Sequence, residues 1–263
     1  MAINLTIVFV LTMIIHTSET LSYSIRYAGV KLNKIAVALS LTGMIVLVSR
    51  TANMIQAPLT AKFIDYARVD ASFDVLWCLR IILFAASVGT LVALFLFPTF
   101  VNVFERIIAK FEVVGSLPRL IASVTIGQIK NSRHYLQKPR FSFRHFRILG
   151  IPKRFMLLNT IVTGIYTVGV LSSLYAAYLS PTFSTTASQA SGIINGVATI
   201  ILTIFIDPQL GLITDRAIHD EGSKHQLGKI YVMLMLSRFL GTLLAQLFIV
   251  PAAYLIAWLV QVI

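Results

Sequence analysis

Three arginines, Arg50, Arg80 and Arg238, fall within or at the edge of long apolar runs of this sequence. A guanidinium is costly to place in hydrocarbon and cannot shed its charge, so each needs a partner or a task. Its planar fork holds two oxygens of a phosphate or carboxylate at once. Arg50 leads a stripe: Asn53 and Gln56 follow at i+3 and i+6, with Ser49 beside them. Such spacing puts the three on one helical face. From the start of its run, Arg50 is about 15 residues in, or about 22 Å at 1.5 Å per residue. Two readings stand: the wall of a polar cavity, or one side of a structural ion pair with Glu19 or Asp74. Arg80 lies about one turn inside its own run, with Trp77 three residues earlier, in stacking range. Arg238 leads a stripe with Thr242 and Gln246. For Arg80 and Arg238, contact with a substrate competes with snorkelling to the nearer interface.

A second stripe comprises Thr12, His16, Glu19, Tyr23 and Arg26, at spacings of four and three that keep one helical face. His16 and Glu19 at i, i+3 form a candidate proton-coupling pair, since a buried carboxylate and an imidazole shift each other's affinity for protons. The competing reading pairs Glu19 with Arg26 or with a basic residue of another helix. A third stripe holds Ser188, Gly192, Asn195, Thr199 and Thr203. Its Gly192-x-x-x-Gly196 favours close helix approach, with Asn195 as interhelical glue. A metal site is conceivable in "DRAIHDEGSKH", where Asp215 and His219 are i, i+4 beside Asp220 and Glu221; a solvated loop is the plainer reading. Cys78 is the lone cysteine, which excludes a disulfide framework and a thiolate metal cluster. No catalytic constellation, metal or cofactor is expected.

These stripes need membrane helices to position them. The mean hydropathy is +0.84, with 57% hydrophobic and only 12% charged residues, which places the chain among polytopic membrane proteins. Six runs approach the roughly 20 residues that cross a bilayer, near 3–23, 35–57, 76–102, 155–179, 187–206 and 231–260. The first lacks a basic n-region and a small-residue cleavage site, and so reads as a retained helix. The last is apolar for so long that a kink at Pro251 is expected, with Trp258 in the outer aromatic belt.

The net charge of +12 lies mostly on one side. Eleven Lys or Arg fall between Arg106 and Arg154, three between the first two runs (Arg26, Lys31, Lys34) and three between the last two (Arg216, Lys224, Lys229). The positive-inside rule puts these in the cytoplasm and both termini outside. Nucleic acid is not the expected partner, because basic and aromatic residues beside a span, as in "KPRFSFRHFRILGIPKR", suit an anionic leaflet.

The fold expected is therefore all-α and polytopic, with about six transmembrane helices. Residues 1–103 form a first three-helix half, 104–154 a basic cytoplasmic or interfacial segment, and 155–263 a second three-helix half. Three helices in series reverse the orientation of the next three, the inverted-topology plan of many secondary transporters. "TIV" recurs at Thr6–Val8 and Thr160–Val162, and a Pro-x6-Asp frame recurs at Pro58–Asp65 and Pro208–Asp215; both also fit chance. In the basic segment, Phe104, Ile107, Ile108, Phe111 and Val114 share a face, which suits an amphipathic interfacial helix. Pro118 is the expected start of a second one. A cation-lined cavity among such helices suggests an anionic cargo, plausibly a lipid phosphate.

"IHTSETLSYSIRYAGV" (Ile15–Val30) and "VALSLTGMIVLVSRTANMIQAPLTAKFID" (Val37–Asp65), with similarity continuing through "GLITDR" (Gly211–Arg216), closely resemble the bacterial Amj family, the alternate lipid II flippases. The resemblance implies an integral protein of the bacterial cytoplasmic membrane. It also implies movement of lipid II, the undecaprenyl-diphosphate-linked peptidoglycan precursor, from the inner to the outer leaflet, with cell-wall synthesis machinery as a possible partner. Arg50, Arg80 and Arg238, with Asn53 and Gln56, are the candidates to meet that diphosphate and its sugar or peptide. Two alternatives stay open: another anionic polyprenyl lipid such as undecaprenyl phosphate, or a membrane-embedded lipid-modifying enzyme.

Overall fold

The computed structural model describes residues 2–116, 119 and 153–263. Six helical segments are long and apolar enough to cross a membrane, and the protein is a multi-pass membrane protein. The first three are α1 (Ala2–Lys31), α2 (Ile35–Val69) and α3 (Val75–Val114). The fourth is α4 (Lys153–Leu179). The fifth, Pro181–His219, is assembled from pieces: a 3-10 turn, α5 (Ser184–Gln189), α6 (Ser191–Ile201), a wider π-type turn over Leu202–Ile206, and α7 (Asp207–His219). The sixth is α8 (Glu221–Val262).

Local chemistry sets the boundaries. The turn between α1 and α2 needs a left-handed residue, and Asn33 supplies it at φ 55°. Asp74 caps α3 by accepting the backbone N–H of Trp77 at 2.9 Å. Gly115 ends α3 at φ 69°. Asp220 caps α8 by accepting from the N–H groups of Gly222 and Ser223.

Several elements outrun the sequence expectation. α2 continues past residue 57, through Pro58, to Val69, and α8 is one helix of 42 residues that contains Pro251. The separate interfacial helix expected over 104–114 is instead the end of α3. The reason is packing. Phe104 and Ile108 are buried in the core rather than laid in a lipid interface. Ion pairs Lys31–Glu105 and Lys34–Glu112 then fasten this extension to the α1–α2 turn. The second interfacial helix expected from Pro118, and the basic-aromatic residues 138–152, lie outside the described residues.

Each group of three is built alike. α1 packs along both α2 and α3, which scarcely touch each other; α4 packs along both α8 and the fifth span. The tightest approaches to a neighbouring helix's backbone are at glycines on the third helix of each group. A Cβ on Gly89 would lie 2.4 Å from the Met13 carbonyl oxygen of α1, and one on Gly241 would lie 2.5 Å from the Thr160 carbonyl oxygen of α4. The groups meet mainly along α3 and α8, while α2 and the fifth span barely approach. At one end of the bundle, the Arg68 guanidinium of α2 donates to the Ala177 carbonyl of α4 at 2.9 Å and to Ser184 of α5. The turn between α1 and α2 sits at the opposite end, against the tail of α3.

Candidate functional site

A partly open cavity of about 150 Å³ lies among α1, α2, α3 and α4, with Asn195 of α6 closing part of it. That is smaller than the roughly 300–1,000 Å³ of a typical small-molecule pocket, so the cavity holds a polar group of a ligand rather than a whole one. α2 gives it Ser49, Arg50, Asn53, Gln56 and Thr60; α1 gives Thr12, His16 and Glu19. The stripes on α1 and α2 thus face each other, because the helices pack side by side with their polar faces turned the same way. α3 contributes an apolar floor of Ile82, Leu83 and Ala86.

The hydrogen bonds divide this wall into a fixed part and a free part. Gln56 Nε2 donates to Thr12 Oγ1 at 2.8 Å, and the Thr12 hydroxyl donates to the Val8 carbonyl at 2.7 Å. Glu19 is fully engaged: Oε1 accepts from Ser49 Oγ at 2.8 Å, and Oε2 accepts from Arg238 Nη2 at 2.6 Å. This carboxylate ties α1 to α2 and to α8 across the two halves. Arg50 and Asn53 make no hydrogen bond or ion pair with any described residue. Glu19 is taken by Arg238, and Asp74 caps α3, so neither proposed carboxylate partner neutralises Arg50. His16 Nδ1 and Asn195 Oδ1 are buried without a partner.

Not every predicted residue gathers here. Arg50, Asn53, Gln56, His16 and Glu19 line the cavity; Arg80 and Arg238 do not. Arg238 reaches it only through Glu19, with side-chain exposures of 19% and 26% for the pair, so its charge is satisfied in place rather than snorkelled to an interface. Arg80 is exposed near the start of α3, and its backbone carbonyl accepts from Gln246 Nε2 of α8 at 2.9 Å. The expected close approach at Gly192 and Gly196 does not occur, since a Cβ at either would meet nothing within 4 Å. The tight contact on that helix is made by Asn195, whose amide fills the notch left by Gly169 of α4. The "DRAIHDEGSKH" stretch is a helix junction: His219 Nδ1 contacts the Asp215 carbonyl at 3.0 Å, and Asp220 caps α8. Among the described residues no group of three or more His, Cys, Asp or Glu is placed to hold a metal.

Sequence reading missed Tyr166 and Thr167, which α4 contributes to the cavity. A signal was present. Asn159, Thr163 and Tyr166 repeat at four and three residues, as the α1 stripe does. Asn159 of that series is buried and donates to Ser237 Oγ of α8 at 2.5 Å.

An unpaired arginine in a membrane cavity, beside amide donors, suits an anion with several oxygens. The family model for Amj, described as "Alternate to MurJ", matches residues 11–260. The chain belongs to the Amj family. It is also 40% identical over 257 residues to the Lipid II flippase Amj of Bacillus subtilis (strain 168), covering 97% of this chain and 96% of that protein. No solved structure matches this Amj chain.

Proposed function

We propose that this protein is a lipid II flippase of the bacterial cytoplasmic membrane, a transporter rather than an enzyme. Its cargo is the undecaprenyl-diphosphate-linked peptidoglycan precursor, moved from the inner to the outer leaflet. The observation that carries the reading is the unneutralised guanidinium of Arg50 in a cavity whose only nearby carboxylate, among the described residues, is already paired. Desolvating a charge costs several kcal/mol, and a diphosphate brings about two charges, so a fixed counter-charge in the groove is what its passage requires. The Arg50 fork takes the diphosphate, and Asn53 and Gln56 meet it or the adjoining sugar. Arg238 is the second cation within reach, and Arg80, at the outer end of α3, meets the headgroup as it leaves. The polyprenyl tail stays in lipid where α2 and the fifth span leave a gap. The two similar halves expose the cavity to one leaflet and then the other, as inverted repeats do. His16 and Glu19 are the proposed route for proton coupling. The charge distribution supports an α1–α2 turn in the cytoplasm and both termini outside.

The test is leaflet accessibility of lipid II in cells that depend on this protein. Wild type raises outer-leaflet lipid II. Arg50→Ala lowers that by about 10- to 100-fold, the equivalent of losing a charged hydrogen bond worth about 1.5–3 kcal/mol. Arg50→Lys restores part of it if charge alone matters, and none if the bidentate fork is needed. Unchanged lipid II accessibility on expressing wild type excludes the cargo and leaves undecaprenyl phosphate to be tested in the same assay. Full activity of Arg50→Ala removes the central residue of the site.

A further inference from the structure

Glu19 holds Arg238 with one carboxylate oxygen and Ser49 with the other, next to an Arg50 that has no counter-charge. Two arginines therefore serve one carboxylate, and the carboxylate has taken the one on the opposite half of the protein. We infer that Glu19 is a placeholder anion: a positioning residue that occupies Arg238 while the cavity is empty and yields it to the cargo's diphosphate. The inference rests on the proposed flippase reading.

Three features support it. First, the pair bridges α1 of one half and α8 of the other, so exchanging Glu19 for a bound anion changes a contact between the halves and not only within the site. Second, Glu19 itself lines the cavity, and its pair with Arg238 keeps partial exposure, at 19% and 26%, so the pair is not sealed inside a packed layer. Third, Arg238 has donors to spare: one Nη2 hydrogen bond is made and Nε is buried without a partner. A diphosphate, with more oxygens than a carboxylate, engages more of the fork. Glu19 is not stranded when released. Ser49 remains on Oε1, and His16 stands one turn away with Nδ1 unpartnered. Two like charges in one cavity repel, so the arriving diphosphate itself drives Glu19 off Arg238.

A structural brace and a placeholder predict opposite signs for ligand binding. The test uses the purified full-length protein in nanodiscs, with farnesyl diphosphate as probe, farnesol as the uncharged control, and lipid II flipping in reconstituted vesicles as the second readout. Glu19→Gln keeps an acceptor for Ser49 and removes the competing charge. We expect it to bind farnesyl diphosphate about ten-fold more tightly while flipping falls at least ten-fold, with farnesol binding unchanged. Weaker or unchanged diphosphate binding in folded Glu19→Gln overturns the inference. If that variant does not fold, Glu19→Asp takes its place: the shorter carboxylate holds Arg238 less well, so tighter binding of farnesyl diphosphate than by wild type is expected, and no gain overturns the inference. Arg50→Ala separates the two levels. Loss of diphosphate binding there without a gain in Glu19→Gln leaves the flippase reading standing and the placeholder refuted; no loss in Arg50→Ala strikes the reading itself.

Discussion

Substituting Gly89 or Gly241 by alanine tests whether the two tight helix pairs are as closely packed as the transport reading needs. A Cβ on Gly89 would lie 2.4 Å from the Met13 carbonyl oxygen and 3.0 Å from its Cα; one on Gly241 would lie 2.5 Å from the Thr160 carbonyl oxygen. These obstacles are backbone atoms and cannot swing aside. To restore even a 3.0 Å contact, α1 and α3 must part by about 0.6 Å, and a gap of 0.5–1 Å already forfeits a quarter to a half of each dispersion contact along the seam. The Thr17 hydroxyl bond to the Gly89 carbonyl, 2.9 Å, stretches with it. Overpacking of this kind costs about 1–3 kcal/mol, against which alanine regains up to about 1 kcal/mol of helix propensity. The net loss is about 1–2 kcal/mol, or about 2–8 °C in Tm at 2–4 °C per kcal/mol. Gly196→Ala is the internal control: nothing lies within 4 Å of its added Cβ, so it is neutral or slightly stabilising. The assay is thermal unfolding of the detergent-solubilised protein. Gly89→Ala and Gly241→Ala melting together with Gly196→Ala would refute the claim that these two glycines set the helix spacing.

Three further outcomes follow from the same contacts. Asn159→Leu removes the hydrogen bond to Ser237 between α4 and α8 and is expected to cost about 1 kcal/mol, the usual size for an interhelical bond in a membrane, read as a lowered Tm. Glu112→Gln breaks the Lys34 pair, whose side chains are 43% and 51% exposed, and should shift stability by no more than about 0.5 kcal/mol in the same melt. Hydrogen bonds from the Ser223 hydroxyl, then from the Ser223 and Gly222 backbone, hold the Asp220 carboxyl below its ordinary range. Its cap therefore stabilises α8 at pH above the ordinary aspartate value of about 3.9 and is lost as pH falls through the lower folded value. Amide exchange at Gly222 and Ser223 should quicken in that acid window, and in Asp220→Ala it should be fast at every pH.

Much of this architecture was legible in the residues. The six crossings follow from apolar runs, and the cavity's α2 wall follows from the spacing of Arg50, Asn53 and Gln56. What was not legible depended on tertiary partners. Hydropathy marks where a helix is greasy, not where it stops, so it ends α3 near residue 102 although Phe104 and Ile108 find core neighbours and carry it to Val114. Pro58 looked like an end, but α2 runs on to Val69 and ends with Arg68 held by α4 and α5. The partner of Glu19 was legible only as Arg26 or a basic residue of another helix; that it is Arg238 was not, because Arg238 lies 219 positions away and Arg26 and Arg50 competed for the same carboxylate. Gly192 and Gly196 carried the right motif for close approach, yet they face open space; Gly169 and Asn195, which match no motif, make the tight fit.

The likeness of the two halves extends to their backbones and stops at the site. Gly89 and Gly241 are 152 positions apart, Pro98 of α3 and Pro251 of α8 are 153 apart, and Pro58 and Pro208 are 150 apart. Gly89 and Gly241 each lie on the third helix of their group, as do Pro98 and Pro251, whereas Pro58 lies inside α2 and Pro208 in the first turn of α7. The same offset of 150 maps Arg50 onto Ile200, Asn53 onto Thr203 and Gln56 onto Ile206 of the fifth span, so the charge is not repeated. The arginine thus has no counterpart in the second half, which brings Tyr166, Thr167 and Asn195 to the cavity instead. For the proposed amphiphilic cargo that asymmetry is a fit, because a single charged headgroup needs one set of counter-charges rather than two.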